Sequence, residues 1–224
     1  MNIQPGRQIL IDGATARSAP YRGLFAEVVR WMSAAYLALA GWKMRGDWPA
    51  LDKVVLVAAP HTSNWDGLNM LAAAGYYRVR LRWMGKKSLT EGPFGWLIKM
   101  LGCVPIDRSG NHDVVNTMRA QFESEKKMVL AISPEGTRGL VGEWKSGFWH
   151  IARAADVPLV LSVLDYGKKC VTLPAVIHPS GDYEADLALI RGHYVDAVGK
   201  NRRQFVAPGG GRNPSPPGGG EGGV

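Results

Sequence analysis

The chain has 224 residues, of which 46% are hydrophobic and 21% are charged, and this balance excludes a largely disordered protein. Its length is enough for one α/β domain with a sizeable core. The net charge of +8 indicates anionic partners such as nucleic acid, anionic lipid or phosphorylated small molecules. Two cysteines, Cys103 and Cys170, lie far apart and have neither metal-ligand spacing nor the pattern of a disulfide framework.

The first predicted element is a helix over residues 21–42. Its apolar positions recur at three- or four-residue steps, namely Leu24, Val28, Trp31, Ala35 and Leu39. The most apolar part, residues 31–42, is shorter than the ~20 residues that span a bilayer. Its aromatic rings suit a helix that lies in a membrane interface. The same periodicity fits a helix that faces the core equally well.

Strands and helices alternate along the rest of the chain. The predicted strands lie at residues 53–59, within 76–84, and at 102–106, 128–132, 157–164 and 170–177. The predicted helices lie at residues 64–77, 92–101, 112–126, 145–155 and 183–198. This alternation predicts a layered α/β domain, with a central mixed sheet flanked by helices.

The densest cluster of chemically active side chains follows the first of these strands, at residues 60–66. Ser63 is a suitable N-cap for the next helix, and Asp66 supplies the acidic part of a capping box. His61 then lies in the preceding loop, where the first helical turn can bring the Asp66 carboxylate to the imidazole. Such a pair forms a general base, because the second ring nitrogen stays free to accept a proton. Taken alone, the spacing is also explained by a helix cap beside an ordinary loop histidine.

Basic and polar clusters follow three further predicted strands, and their members are Lys86, Arg108 and the run Glu135, Gly136, Thr137 and Arg138. Loops at the edge of such a sheet are where α/β folds bind ligands. Guanidinium groups hold phosphates through paired hydrogen bonds. A solvated turn explains any one cluster better, but their common position after strands favours a shared anion-binding edge.

The ordered set of motifs resembles the glycerolipid acyltransferases of the lysophosphatidic-acid acyltransferase type. His61, Ser63 and Asp66 match that family's His-x-Ser-x-x-Asp core. The further matching runs are residues 85–89, 92–96, 102–108, 135–138 and 157–160. The ordered set is more specific than any single motif, and it spans roughly residues 50–165.

The resemblance implies that His61 is the general base and that Asp66 orients it. An acceptor hydroxyl then attacks a thioester directly, so that no metal or other cofactor is expected, and acyl-CoA or acyl-carrier protein is the co-substrate. The resemblance also implies a substrate-binding set, which comprises Ser63, Lys86, Arg108, Glu135, Gly136, Thr137 and Arg138.

Composition and resemblance together predict three segments. Residues 1–44 form a helical, membrane-associating segment, residues 45–207 the acyltransferase domain, and residues 208–224 a disordered tail rich in Gly and Pro. The expected partners are a lysolipid acceptor, an acyl thioester donor and a membrane surface, without nucleic acid. The protein is expected to be peripheral on the cytoplasmic face of the cell membrane.

Several alternatives stay open or are disfavoured. The acceptor is lysophosphatidic acid, another lysophospholipid, or a lysolipid with an amino-acid headgroup. A non-catalytic module that binds anionic lipid or nucleic acid fits the charge, although no recognised nucleic-acid motif is present. The chain has no Gly-x-Ser-x-Gly elbow, which disfavours a serine hydrolase. Its five histidines are scattered without paired-ligand spacing, which disfavours a metal enzyme. The sequence does not indicate an oligomeric state.

Overall fold

The computed structural model describes residues 8–10, 21–106 and 113–207. Arg108 and the predicted tail at residues 208–224 therefore lie outside the described residues. The helices are α1 (Leu24–Leu39), α2 (Asn64–Tyr76), α3 (Ser88–Glu91), α4 (Gly95–Met100), α5 (Val114–Ser124), α6 (Gly147–Ala154) and α7 (Tyr183–Arg191), followed by a 3-10 turn at Arg202–Gln204. The strands are β1 (Gln8–Leu10), β2 (Lys43–Arg45), β3 (Lys53–Ala59), β4 (Leu81–Lys86), β5 (Cys103–Ile106), β6 (Met128–Ile132), β7 (Leu159–Asp165), β8 (Cys170–Thr172) and β9 (Ala175–Ile177).

Within the described residues, the strands form one mixed sheet in the order β1-β9-β7-β3-β6-β4-β5, and β8 pairs with both β7 and β2. Strands β7, β3, β6, β4 and β5 run parallel to their neighbours in that order. Strands β1, β8 and β9 are added through antiparallel pairing. The carboxyl ends of the five parallel strands therefore meet at one edge of the sheet.

The central strands are buried on both faces. Every residue of β6 and β7 is buried, and all of them except Ser162 and Asp165 of β7 are apolar, as expected of parallel strands covered by helices on either side. One core lies under α5, α6 and α7, with Met118, Phe148 and Ile190 packed in it. The opposite core includes Val54 and Leu56 of β3 and Ala74 of α2. The predicted layered α/β architecture with a mixed sheet is confirmed.

Helix α1 packs against α2 through its inner face. A smaller core around Leu37 and the following Trp42 joins the end of α1 to Leu164 and Val171. The apolar stripe predicted from periodicity faces solvent. Its large exposed members are Leu24, Val28, Trp31 and Leu39, and the neighbouring Phe25 and Met32 are exposed as well. The alternative in which this stripe faces the core is therefore wrong. None of the helices in the described ranges has the length and apolar character needed to cross a membrane.

Three details of the predicted elements need correction. The strand predicted at residues 170–177 is split into β8 and β9, because Pro174 has no N–H for the ladder. The last predicted helix ends at Arg191, and Tyr194 beyond it donates a hydrogen bond to the backbone oxygen of Val57 at 2.9 Å. Strands β1 and β2 and the one-turn helix α3 are not predicted, since three or four residues are too few for a periodic signal.

Candidate functional site

The predicted residues gather where the parallel strands end. His61 follows β3, Glu135 follows β6, and Lys86 is the last residue of β4. Because β6 lies between β3 and β4, Lys86 is two strand spacings, roughly 10 Å, from the end of β3. Sheets of this kind bind ligands at this edge. The prediction of one shared edge therefore holds for these residues, while Arg108 lies outside the described residues.

The carboxylate of Asp66 is the most heavily hydrogen-bonded group at this edge. Its Oδ2 accepts from the backbone N–H groups of Thr62 at 2.5 Å and Ser63 at 2.7 Å. Its Oδ1 accepts from the hydroxyls of Ser63 and Tyr166, each at 2.6 Å. Asp66 is 3% exposed, so these four donors replace the water that would otherwise solvate the carboxylate. The carboxylate is thereby fixed in one orientation.

His61 faces this carboxylate. Its Nδ1 lies 3.6 Å from Oδ2 of Asp66, which is longer than a hydrogen bond but close enough for a strong electrostatic interaction. Pairs of this kind are often loose before the substrate binds. The His61 side chain remains 31% exposed, so the ring is accessible from solvent. Burial lowers the pKa of His61 below its usual value, and the Arg138 cation lowers it further, against the opposing effect of Asp66. A neutral imidazole is the form that accepts a proton.

Two residues of the predicted substrate-binding set make other contacts in the structure. The Ser63 hydroxyl donates a hydrogen bond to Oδ1 of Asp66 and so orients the carboxylate. Glu135 is 1% exposed, and its Oε1 accepts a hydrogen bond from the backbone N–H of His61 at 2.8 Å. Burial raises the pKa of Glu135 to about 7. Both side chains therefore hold the His61 loop, and their contact with substrate stays a prediction.

The His61 loop is also held from the carboxyl-terminal side of the domain. Asn201 donates its backbone N–H to the hydroxyl of Thr62 at 3.1 Å and its side-chain amide to the Thr62 carbonyl at 2.8 Å. A side chain at Gly199 would approach the Thr62 methyl group to 2.7 Å, so the two segments are in close contact. The loop is thus bound on several sides, which favours a fixed position for the imidazole.

The run after β6 carries Arg138 close to His61, and Lys145 packs against the same run. Gly136 has φ +65°, a conformation that glycine adopts readily, and a side chain there would lie 2.9 Å from Cδ of Lys145. The Thr137 hydroxyl accepts from the Gly139 N–H at 3.3 Å. Arg138 and Lys145 are exposed. Their charges make this edge suitable for an anionic ligand.

Sequence reasoning missed three residues that the fold brings to the site. Tyr166, just beyond β7, binds Asp66, and Asn69 on α2 donates to the Tyr166 hydroxyl at 3.0 Å. Lys145 reaches Gly136 from the loop before α6. Tyr166 lies 100 residues from its partner, and no local motif connects them. Its position just after a predicted parallel strand is the one available signal.

No group of three or more His, Cys, Asp or Glu side chains within residues 8–10, 21–106 and 113–207 is arranged to hold a metal ion. At this edge the structure brings together an imidazole–carboxylate pair and the exposed cations Arg138 and Lys145.

Comparisons with known proteins find relatives that are named as acyltransferases. The chain is 35% identical over 118 residues to a probable 1-acyl-sn-glycerol-3-phosphate acyltransferase of Mycoplasma pneumoniae, covering 48% of this chain and 43% of that protein. It is also 35% identical over 83 residues to the 1-acyl-sn-glycerol-3-phosphate acyltransferase of Saccharomyces cerevisiae, covering 34% of this chain and 27% of that protein. The chain thus matches less than half the length of these curated relatives.

The fold has a counterpart among solved structures. The crystal structure of the 1-acyl-sn-glycerophosphate acyltransferase PlsC from Thermotoga maritima matches with a TM-score of 0.50 and 16% sequence identity. The match covers 75% of this chain and 78% of that chain, and it supports the fold alone. The sequence pattern of the family named Acyltransferase matches residues 44–164, just over half of the chain, and this range contains His61, Asp66, Glu135 and Arg138. The chain belongs to the Acyltransferase family.

Proposed function

We propose that the protein transfers a fatty-acyl group from acyl-CoA or acyl-carrier protein to the hydroxyl of a lysophospholipid, such as 1-acyl-glycerol-3-phosphate, in phospholipid biosynthesis. The observation that carries this proposal is the accessible imidazole of His61 set 3.6 Å from a buried, fully hydrogen-bonded carboxylate. Family membership and the names of the relatives support the same reaction class.

In the proposed reaction, Nε2 of His61 takes the proton of the acceptor hydroxyl as its oxygen attacks the thioester carbonyl. Asp66 stabilises the imidazolium that forms. The tetrahedral intermediate then collapses, the carbon–sulfur bond breaks, and the imidazolium returns its proton to the departing thiolate. The products are an ester and a free thiol, so atoms and charges balance without a covalent enzyme intermediate.

Anionic groups on the substrates have several partners in this proposal. Arg138 and Lys145 lie beside His61 and Gly136, and Lys86 is exposed at the end of the next strand but one. We expect Arg138 to hold the acceptor phosphate, because a guanidinium binds phosphate through two parallel hydrogen bonds. From the family resemblance, we also expect Arg108 to bind the phosphate and the Thr137 hydroxyl to line the pocket.

The developing oxyanion needs donors outside the His61 loop. The backbone N–H of His61 is taken by Glu135, and those of Thr62 and Ser63 are taken by Asp66. We assign the role to the cationic side chains of Arg138 and Lys145, which stabilise a developing negative charge at the same edge.

We further propose that α1 docks the protein peripherally on the cytoplasmic face of the cell membrane. Its outer face exposes large apolar side chains, including Phe25, Trp31 and Met32. A second exposed apolar group lies on α3, α4 and the turn between them, at Leu89, Phe94, Trp96 and Met100. Apolar faces of this kind on a basic protein favour an anionic bilayer, from which the lysolipid acceptor need not leave.

The test is thiol release from palmitoyl-CoA and from palmitoyl-acyl-carrier protein, measured with a panel of acceptors. The panel contains 1-acyl-glycerol-3-phosphate, other lysophospholipids and a lysolipid with an amino-acid headgroup, and products are identified by mass spectrometry. Acceptor-dependent release with an acylated product is the expected result. Release with only a non-phosphate lysolipid would assign a different acceptor within the same reaction class. Lipid binding without release from either donor would replace the proposal with a non-catalytic lipid-binding role.

A further inference from the structure

A chain of three hydrogen bonds runs from α1 to the Asp66 carboxylate. The hydroxyl of Tyr36 donates to Oδ1 of Asn69 at 3.1 Å. The side-chain amide of Asn69 donates to the hydroxyl of Tyr166 at 3.0 Å, and Tyr166 donates to Oδ1 of Asp66 at 2.6 Å. Each group donates a hydrogen bond to the next, so the chain has one direction and ends at the carboxylate.

The middle of this chain is shielded from water. Asn69 and Asp66 are each 3% exposed and lie one turn apart on the same face of α2. A buried amide or carboxylate that loses its partner keeps its full desolvation cost. The arrangement therefore favours one conformation of Asn69 and one of Tyr166, because other rotamers would leave buried polar atoms without partners.

Tyr166 occupies a position that controls the direction of the carboxylate. Oδ1 of Asp66 takes the two hydroxyl donors, while Oδ2 takes the backbone donors and faces Nδ1 of His61. Loss of the Tyr166 hydroxyl would leave Oδ1 with Ser63 alone. The carboxylate would then hold more unshared negative charge and would be less constrained in rotation.

The far end of the chain belongs to the helix whose outer face is exposed. Tyr36 is in the last turns of α1, and Trp42 just beyond α1 packs edge-on against the Tyr166 ring with centroids 4.8 Å apart. Tyr36 and Tyr166 also border the core formed by Leu37 and Trp42. A change in how α1 sits on α2 therefore reaches Tyr166 through both a hydrogen bond and a ring contact.

We propose that Tyr166 is a positioning residue for the His61–Asp66 pair, and that Asn69 and Tyr36 hold it in place, so that the geometry of the pair depends on the seating of α1. The catalytic half of this inference rests on the proposed acyl transfer, whereas the coupling of Tyr166 to His61 is a property of the folded protein without substrate. The two can therefore fail separately.

The experiment is a titration of His61 by NMR in wild type and Tyr166→Phe, followed by kinetics on the same samples. Besides Asp66, the charged or titratable groups among the described residues that face His61 are Arg138 and Glu135, and the variant leaves both in place. With one donor fewer, the Asp66 carboxylate stabilises the imidazolium more strongly, so we expect the pKa of His61 to rise. We expect kcat to fall about tenfold, with KM for donor and acceptor unchanged.

Tyr77→Phe is the matched control. It removes a tyrosine hydroxyl that donates to the Gly46 carbonyl at 2.8 Å, also beside α2 but away from Asp66. A His61 titration in Tyr166→Phe that is the same as in Tyr77→Phe overturns the inference, whatever the kinetics show. If wild type has no turnover, the titration alone decides the positioning role and the proposed reaction fails separately. Should Tyr166→Phe not fold, Tyr36→Phe must raise the same pKa by a smaller amount, and an unchanged value overturns the inference.

Discussion

The side chain of Glu135 and the backbone of His61 are joined by a hydrogen bond of 2.8 Å, although the two residues are 74 positions apart in the sequence. The bond ties the loop after β6 to the loop after β3, which are neighbouring strands. Glu135 is buried, and its Oε2 has no hydrogen-bond partner among the described residues. Its ionised form is therefore disfavoured in the folded protein.

This burial predicts a specific pH dependence of stability. Because the folded-state pKa of Glu135 is raised to about 7, the folded protein binds a proton that the unfolded chain has lost. The stabilisation that comes from this bound proton is fully present below the pKa of Glu135 in the unfolded chain, and it is lost as the pH rises through about 7. In Glu135→Gln, the fall in unfolding free energy between pH 5 and pH 8 should shrink by on the order of 2 kcal/mol.

Urea unfolding at several pH values measures this quantity. Glu143→Gln removes an exposed carboxylate from the loop before α6 and is expected to leave the pH dependence of wild type intact. A Glu135→Gln curve parallel to that of wild type would show that Glu135 is ionised in the folded protein, contrary to this account.

Arg138 is expected to act on both His61 and the acceptor. Its cation lowers the pKa of His61, so Arg138→Gln should raise that pKa and move the acid limb of the kcat/KM profile to higher pH. KM for a phosphorylated acceptor should rise about tenfold or more, because a charge-assisted phosphate contact is lost. Arg119→Gln on the exposed face of α5 serves as the control. Unchanged profiles and KM values in Arg138→Gln would remove Arg138 from the site.

The contact between α1 and α2 depends on a glycine. A side chain at Gly75 would lie 2.2 Å from Oγ of Ser33 and 3.1 Å from Cγ1 of Val29. Gly75→Val should therefore destabilise the protein by about 1–3 kcal/mol through overpacking. Gly67, on the same helix, has open space around it, and Gly67→Ala should stabilise the protein slightly.

Thermal or urea unfolding compares these two variants with Gly75→Ala. Partial recovery of stability in Gly75→Ala when Ser33→Ala is added would identify the crossing itself as the cause. Equal effects of alanine at positions 67 and 75 would contradict close packing at Gly75.

The exposed face of α1 should control association with vesicles. Replacing Phe25, Trp31 and Met32 together by serine removes apolar area that is mostly exposed to solvent. Partitioning onto phosphatidylcholine–phosphatidylglycerol vesicles, measured by co-sedimentation, should weaken at least about tenfold. The control is the pair Leu189→Ser and Val195→Ser, exposed at and beyond α7 on the other layer. Equal binding by the two variants would locate membrane contact elsewhere.

Much of the architecture is predictable because its signals are local. The strands at residues 53–59 and 128–132 have the predicted bounds, since each is a nearly continuous aliphatic run, closed by Pro60 in the first and by Ser133 in the second. The cap at Ser63 is likewise a short-range pattern, and it brings Asp66 to the His61 loop as expected.

The remaining features depend on distant parts of the chain. Ser63 and Glu135 belong to the predicted set, but which way their side chains point is decided by tertiary packing, and both hold the site together. No local motif predicts the role of Tyr166, because its partner Asp66 lies across the sheet edge on α2. The outward direction of the α1 stripe is similarly fixed by packing of the opposite face on α2.

The central claim is that His61 acts as the general base, and acceptor-dependent thiol release from palmitoyl-CoA tests it most directly. His61→Ala is compared with wild type and with His150→Ala, which removes an exposed imidazole on α6, after circular dichroism has shown that all three are folded. The account predicts a fall of ~10²–10⁴ in His61→Ala and a wild-type rate in His150→Ala. A folded His61→Ala protein that releases thiol at the wild-type rate would contradict it.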